Sequence, residues 1–126
     1  MLTTQSLTVM RQQKTLLHNI NVTIDKGKIY ALIGHNGSGK STVLKLISGI
    51  TKPTLGKVWF NNQDLGALND NQIGFMRQHI GIVFQDHKIL YDRNVLQNVI
   101  LPLRIIGYQP GKAEERARIA VEKVGL

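Results

Sequence analysis

An apolar stretch, Ile29-Tyr30-Ala31-Leu32-Ile33, runs directly into Gly34-His35-Asn36-Gly37-Ser38-Gly39-Lys40-Ser41-Thr42, and no other succession in the chain restricts the fold as much. The spacing satisfies G-x-x-x-x-G-K-[ST], a phosphate-binding loop set between a strand and a helix. Gly34, Gly37 and Gly39 permit a tight turn in which backbone N–H groups converge on phosphate oxygens with no side chain in the way. Lys40 brings a mobile point charge to the terminal phosphates, and the Ser41 hydroxyl is placed to coordinate Mg²⁺. A helix should begin at Lys40, its positive end adding to the anion site, with Val43, Leu44, Leu46, Ile47 and Ile50 forming a face that packs on the sheet. The expectation is an α/β nucleotide-binding core in which residues 29–33 are a buried central strand.

Composition narrows the setting. A chain of 126 residues with 42% hydrophobic content supports one core, and the absence of cysteine excludes disulfides and thiolate metal sites and suits a reducing compartment. The N-terminal stretch MLTTQSLTVMRQQK has no signal-peptide core, and the apolar run from Val99 to Ile106 is short for a bilayer and holds Arg104. The charge of +8 is spread along the chain without a block of like charges, an aromatic RNA-binding signature or zinc-finger spacing. A solvated basic surface and attraction to an anionic membrane leaflet both accommodate it.

Along the chain, Leu7 and Val9, then Ile20, Val22 and Ile24, alternate as a pair of antiparallel strands ending in a turn at Asp25-Lys26-Gly27. After the loop, the helix should close near Gly49, followed by a turn at 51–56, a short strand at Lys57–Phe60 and a further turn at 61–64. Trp59 and Phe60 read as sheet packing. A short helix is expected over 71–78, then a buried strand Ile80–Phe84 ending at Gln85-Asp86. Beyond it the pattern turns helical: Asp92 or Asn94 caps a helix carrying Val95, Leu96, Val99, Ile100, Leu103 and Ile106, which Pro102 should bend or interrupt. A last helix from about Lys112 should bury Ala113, Ala117, Ala120, Val121 and Val124, pair Glu114 with Arg118, and stop at Gly125 with Leu126 folding back.

The paired strands before the loop, GHNGSGKST itself, ISGITKPTLGKVWFNNQDL and IGIVFQD together resemble the ATP-binding-cassette ATPases over essentially the whole chain. The resemblance implies an α/β P-loop NTPase core with N-terminal antiparallel strands over residues 1–86 and the beginning of a helical subdomain over 87–126, as in the N-terminal part of such a cassette. It implies ATP and Mg²⁺ as ligands, held by residues 34–42, with Gln85 contacting Mg²⁺ and the attacking water. The run VFQDHKILYDRNVLQNVILPLRIIGY, with His35 inside the loop, resembles the cell-division branch of that family, the FtsE-like ATPases, with lipoprotein-release and macrolide-export ATPases as near relatives. That branch implies an FtsX-like integral membrane protein as partner, pairing of two cassettes, and a cytoplasmic position at the inner membrane.

Two departures qualify the resemblance. Where the family places an aromatic residue to stack on adenine, the aligned residue is Met10, whose thioether presses less specifically on a base. These residues also contain no LSGGQ-type signature, no acidic strand ending in Asp-Glu and no switch histidine, the groups by which the family hydrolyses ATP between two cassettes. His35, His79 and His87 form no metal-like or triad pattern that would replace them. Two readings compete: a nucleic-acid-associated cassette, encouraged by the positive charge but not by the apolar segment from Val95 to Ile106, and a module holding nucleotide without turnover. Tyr91 and Leu90, in the loop before the helix cap, are expected to be exposed and available to a partner.

Overall fold

The computed structural model describes residues 1–126, which divide into two compact units, Met1–Gly81 and Ile82–Leu126. The first is built on an antiparallel sheet in the order β2-β1-β3-β4, from β1 (Leu2–Arg11), β2 (Lys14–Ile24), β3 (Leu55–Phe60) and β4 (Gln63–Asp64). The expected pair of strands is therefore present. Its register runs from Leu2 opposite Ile24 to Arg11 opposite Lys14, and the hairpin closes on Gln12 and Gln13, both left-handed with φ of 47° and 63°. Such a two-residue turn matches the twist of the strands it joins.

Alternation along these strands sends Leu7, Val9, Leu17 and Val58 to one face, where they meet Leu46 of α1 (Lys40–Ile47) and Leu65, Ile73 and Met76 to form the core. Of the apolar face expected for α1, Leu46 is buried and Val43 packs against the core, whereas Leu44 and Ile50 are exposed. The helix ends on Gly49 at φ 67°, with Ile50 N–H returning to the Lys45 carbonyl, the left-handed cap that glycine adopts without strain. α2 (Asp70–Arg77) starts with a reciprocal capping box between Asn69 and Gln72, and its Arg77 guanidinium donates to the Gly49 carbonyl. β1 is kinked at Ser6, φ 47°, where the backbone of β3 comes so close that a Cβ on Gly56 would collide with the Ser6 carbonyl oxygen.

Two expected strands are not strands. Ile29–Ile33 and Ile80–Phe84 have no hydrogen-bonded neighbour, and Ile29, Ile33 and Val83 are 102%, 90% and 94% exposed. A strand buried on both faces exists through the strands beside it, since an unpaired backbone in an apolar interior is costly. Neither segment joins the sheet, whose order β2-β1-β3-β4 is complete without them.

In the second unit, α3 (Val95–Ile105) is capped by Asn94: its side chain accepts from Gln97 N–H at 2.9 Å, and Gln97 returns a bond to Asn94 N–H at 3.0 Å. Pro102 does not interrupt it, and the helix runs on to Ile105. α4 (Pro110–Lys123) begins earlier than expected, with proline at its first position, where a missing N–H has no consequence. Ala113 and Ala117 are fully buried, their small side chains allowing α3 and α4 to approach closely. Ala120 and Val124, expected inside, are exposed, while the Glu114–Arg118 pair forms at 2.7 Å.

Candidate functional site

Residues 34–42 lie in the first unit between the open segment and α1. Gly37 and Gly39 have φ of 82° and 92°, the left-handed region, so the glycines of the pattern are required by the backbone at these two positions. A Cβ on Gly34 would stand 2.6 Å from Ser38 Oγ, so that hydroxyl would have to rotate away. Ser38 N–H donates to the His35 carbonyl at 3.2 Å, closing a turn over Asn36 and Gly37. Gly39 then occupies the N-cap of α1, with no side-chain cap and no acidic residue in the first turn. The first N–H groups of α1 therefore have no side-chain cap, and Ser41 and Thr42 follow in the same turn.

Lys40 folds back over the loop. Its ammonium donates to the Gly34 and His35 carbonyls, both at 2.7 Å, which holds the loop curved around the position an anion would take. These are bonds to neutral acceptors, and a phosphate oxygen would offer a stronger, charge-assisted partner to the same group. Uncapped N–H groups, left-handed glycines, a flexible cation and a hydroxyl at a helix start together meet the requirements of a polyphosphate with its divalent cation.

Sequence reading did not find what supports the loop from behind. A Cβ on Gly39 would lie 2.6 Å from Leu17 Cδ2, so β2 presses directly on the start of α1. Leu17 pairs with Val9, and Met10 with Thr15, which brings Met10 to the end of the hairpin that supports the loop. Met10 is partly exposed, and its N–H donates to Thr54 Oγ1 at 2.9 Å. These contacts join residues far apart in sequence and leave no local pattern to read.

Gln85 belongs to the second unit, exposed in a turn over residues 85–88 that passes through left-handed His87 and Lys88. The neighbouring Asp86 carboxylate meets Lys88 Nζ at 2.6 Å, and that ammonium holds its pKa below the ordinary value. From this turn the chain reaches α3 through a loop fixed by Asn98, whose side chain accepts from Leu90 N–H at 2.9 Å and donates to the carbonyls of Leu90, Arg93 and Asn94. Tyr91, on the loop, is 89% exposed and Leu90 is exposed beside it, as expected. No group of three or more His, Cys, Asp or Glu side chains converges on a metal-sized site, and no helix is long and apolar enough to cross a membrane.

The profile of the ABC transporter family matches residues 17–126. The cell division ATP-binding protein FtsE of Haemophilus influenzae is 44% identical over 110 residues, covering 87% of this chain and 50% of that protein. The lipoprotein-releasing system ATP-binding protein LolD of Saccharophagus degradans is 39% identical over 116 residues, covering 91% of this chain and 51% of that protein. Among solved structures, the ATP-binding cassette MJ0796, dimeric and bound to ADP and Pi, aligns with a TM-score of 0.85 at 31% identity, over 97% of this chain and 56% of its own. The chain thus spans about half the length of the relatives it matches, and its fold is that of part of an α/β cassette.

Proposed function

Because the chain belongs to the ABC transporter family of ATP-binding cassettes, we propose that residues 34–42 bind Mg-ATP and that the whole protein works as the ATPase subunit of an FtsE-like complex in cell division. The observation that carries this reading is the loop itself: glycines at φ 82° and 92°, an uncapped helix start, and Lys40 held at 2.7 Å over the Gly34 and His35 carbonyls. On this reading Lys40 leaves its carbonyls for the outer phosphates, and the backbone N–H groups of 35–42 receive the inner ones. Ser41 and Gln85 are the oxygen donors to the cation, which when bound neutralises phosphate charge. Gln85 also orients the attacking water. Met10, at the end of the hairpin, lies under the base, with thioether contact in place of aromatic stacking.

Residues 1–86 form the nucleotide core of this design and residues 87–126 begin a helical subdomain whose loop at Leu90 and Tyr91 receives an FtsX-like integral membrane protein at the cytoplasmic face of the inner membrane. Two cassettes pair, as in the dimeric relative. The LolD similarity supports a second reading, an ATPase subunit of a lipoprotein-release complex, with the same loop and a different membrane partner.

Titration calorimetry with Mg-ATP tests the core of the proposal. Lys40→Ala should weaken binding by a factor of about 100, since a charge-assisted contact of roughly 1.5–3 kcal/mol is lost together with the group that orders the loop. Equal affinity in the folded variant and the parent would refute the assignment.

A further inference from the structure

The chain holds nine asparagines, and only Asn36 is followed by glycine. That dipeptide lies inside the phosphate loop. Asparagine is a chemically labile residue, because the main-chain nitrogen of the next residue can attack its side-chain carbon, and glycine in that next place leaves the nitrogen unshielded. Local structure decides whether the attack occurs: a nitrogen whose N–H is held by an acceptor, or an amide side chain held by partners, is kept out of the reacting geometry. Here neither is held. Asn36 and Gly37 are both exposed, the Asn36 side chain makes no hydrogen bond, and the Gly37 N–H donates to no backbone acceptor. Gly37 sits at φ 82°, with nothing within 4 Å of where a Cβ would stand, so the space beside the nucleophile is open. The bond that closes this turn, from Ser38 N–H to the His35 carbonyl at 3.2 Å, passes around the dipeptide and engages neither of its reacting groups. By contrast, Asn69 and Asn94 cap helices, Asn98 holds the loop before α3, and Asn21 accepts from Ser6 N–H while its amide donates to Asn19.

We propose that Asn36 is a site of spontaneous deamidation and that the acid formed there closes the loop to nucleotide, so that the empty protein ages at its binding site while the loaded protein is protected. Water is the only co-reactant. The Gly37 nitrogen loses its proton and bonds to Asn36 Cγ, the Cγ–Nδ2 bond breaks, and Nδ2 leaves as ammonia, taking up a proton to match the one that Gly37 lost. The cyclic imide then adds water at one of its two carbonyls. Opening at Cγ gives aspartate, whereas opening at the main-chain carbonyl gives isoaspartate, with Cβ inserted in the main chain and the carboxylate on Cα. Either product puts a negative charge between His35 and Gly37. Lys40, which donates to the neutral carbonyls of Gly34 and His35 at 2.7 Å, then has a charged acceptor in its own loop. Isoaspartate also lengthens the turn that the Ser38–His35 bond spans. The labile site stands on local structure alone, while its consequence rests on the reading in which residues 34–42 bind Mg-ATP. On that reading phosphate oxygens accept from the loop N–H groups, which keeps the proton on Gly37 and disfavours the anionic nitrogen that the attack requires.

The test incubates the folded protein at mildly alkaline pH, with and without Mg²⁺ and a non-hydrolysable ATP analogue, and follows residue 36 by peptide mapping that separates asparagine, aspartate and isoaspartate. Residue 36 should turn acidic before any other asparagine, and faster as pH rises. With the analogue at about ten times its Kd, about one molecule in ten is empty, and the rate should fall about tenfold. The aged fraction, isolated by ion exchange and still folded by circular dichroism, should bind Mg-ATP at least about tenfold more weakly, because a like charge faces the phosphates. Asn36→Asp should show that weaker binding from the start. Asn36→Gln, whose longer side chain does not close the same ring readily, should keep throughout the incubation whatever affinity it begins with. An intact amide at residue 36 while another asparagine reacts would overturn the site. Deamidation there with affinity unchanged overturns its effect on the loop, and equal rates with and without an analogue that calorimetry shows to be bound overturn protection. If residue 36 turns acidic in protein that binds no Mg-ATP even when fresh, the labile site is upheld and the nucleotide reading is what fails.

Discussion

β1 and the segment Ile29–Ile33 are both rich in residues that favour strands, yet one is sheet and the other is not. In β1, Leu7 and Val9 alternate with polar neighbours, β2 lies on one side and β3 on the other, and Leu7 is 0% exposed. In 29–33 the apolar residues are continuous, nothing pairs with them, and the outer isoleucines face solvent. Strand propensity therefore describes fitness for a pleated, half-covered surface and becomes structure when a neighbour supplies that surface.

The sharpest way to break this contrast is Leu7→Ala. Removing a fully buried side chain from the core should cost about 2–5 kcal/mol, enough to abolish a two-state denaturant transition in the first unit or move it strongly to lower denaturant. Gly56→Ala comes next, at about 1–3 kcal/mol, because alanine at φ 85° is strained and its Cβ would meet the Ser6 carbonyl, loosening the β1–β3 ladder. Hydrogen exchange of β1 and β3 amides reports it; protection equal to the parent's would mean that the kink relaxes without loss. Ile33→Ala, by contrast, should change stability by less than about 0.5 kcal/mol in this chain, because that side chain is already in water. A large effect at Ile33 would show that the segment is covered in solution and would erase the distinction.

The smallest effect concerns Asp86, in the open stretch that follows Phe84. Its carboxyl should titrate below the ordinary value of 3.8, and Lys88→Gln should return it toward that value, as read by side-chain NMR. Because the folded pKa is depressed, any stabilisation is present above the unfolded pKa and lost as pH falls through the folded one, a window below about pH 4. Both side chains are mostly exposed, so the global transition should not follow the pair.

Legibility in the sequence followed the range of the interactions. The glycine turn at Gly37 and Gly39, the start of α1, a cap that the pattern leaves to Asp92 or Asn94, and the Glu114–Arg118 pair depend on residues within a few positions of one another, and each is readable. Residues 29–33 and 80–84 were read as strands because a continuous apolar run marks a strand buried on both faces, whereas forming that strand depends on partners elsewhere. The same limit hid Leu17 behind Gly39, Thr54 under the Met10 backbone and Arg77 on the Gly49 carbonyl. In α4, helical period predicted burial of Ala120 and Val124, but the periodicity gives the direction of a face and not how much of it a neighbour covers.

If residues 34–42 bind phosphate as proposed, the position of Lys40 makes the loop a competitor for that ligand. While the ammonium donates to the Gly34 and His35 carbonyls at 2.7 Å, those oxygens occupy the place of phosphate oxygens on Lys40, at an effective concentration set by the loop itself. On the proposed reading, phosphate binding would be an exchange of acceptors by Lys40 within an already curved loop. An anion able to offer that lysine only one weakly charged oxygen gains little from the exchange, while a chain of phosphates gains at each contact, so the resting contact raises discrimination as it lowers affinity.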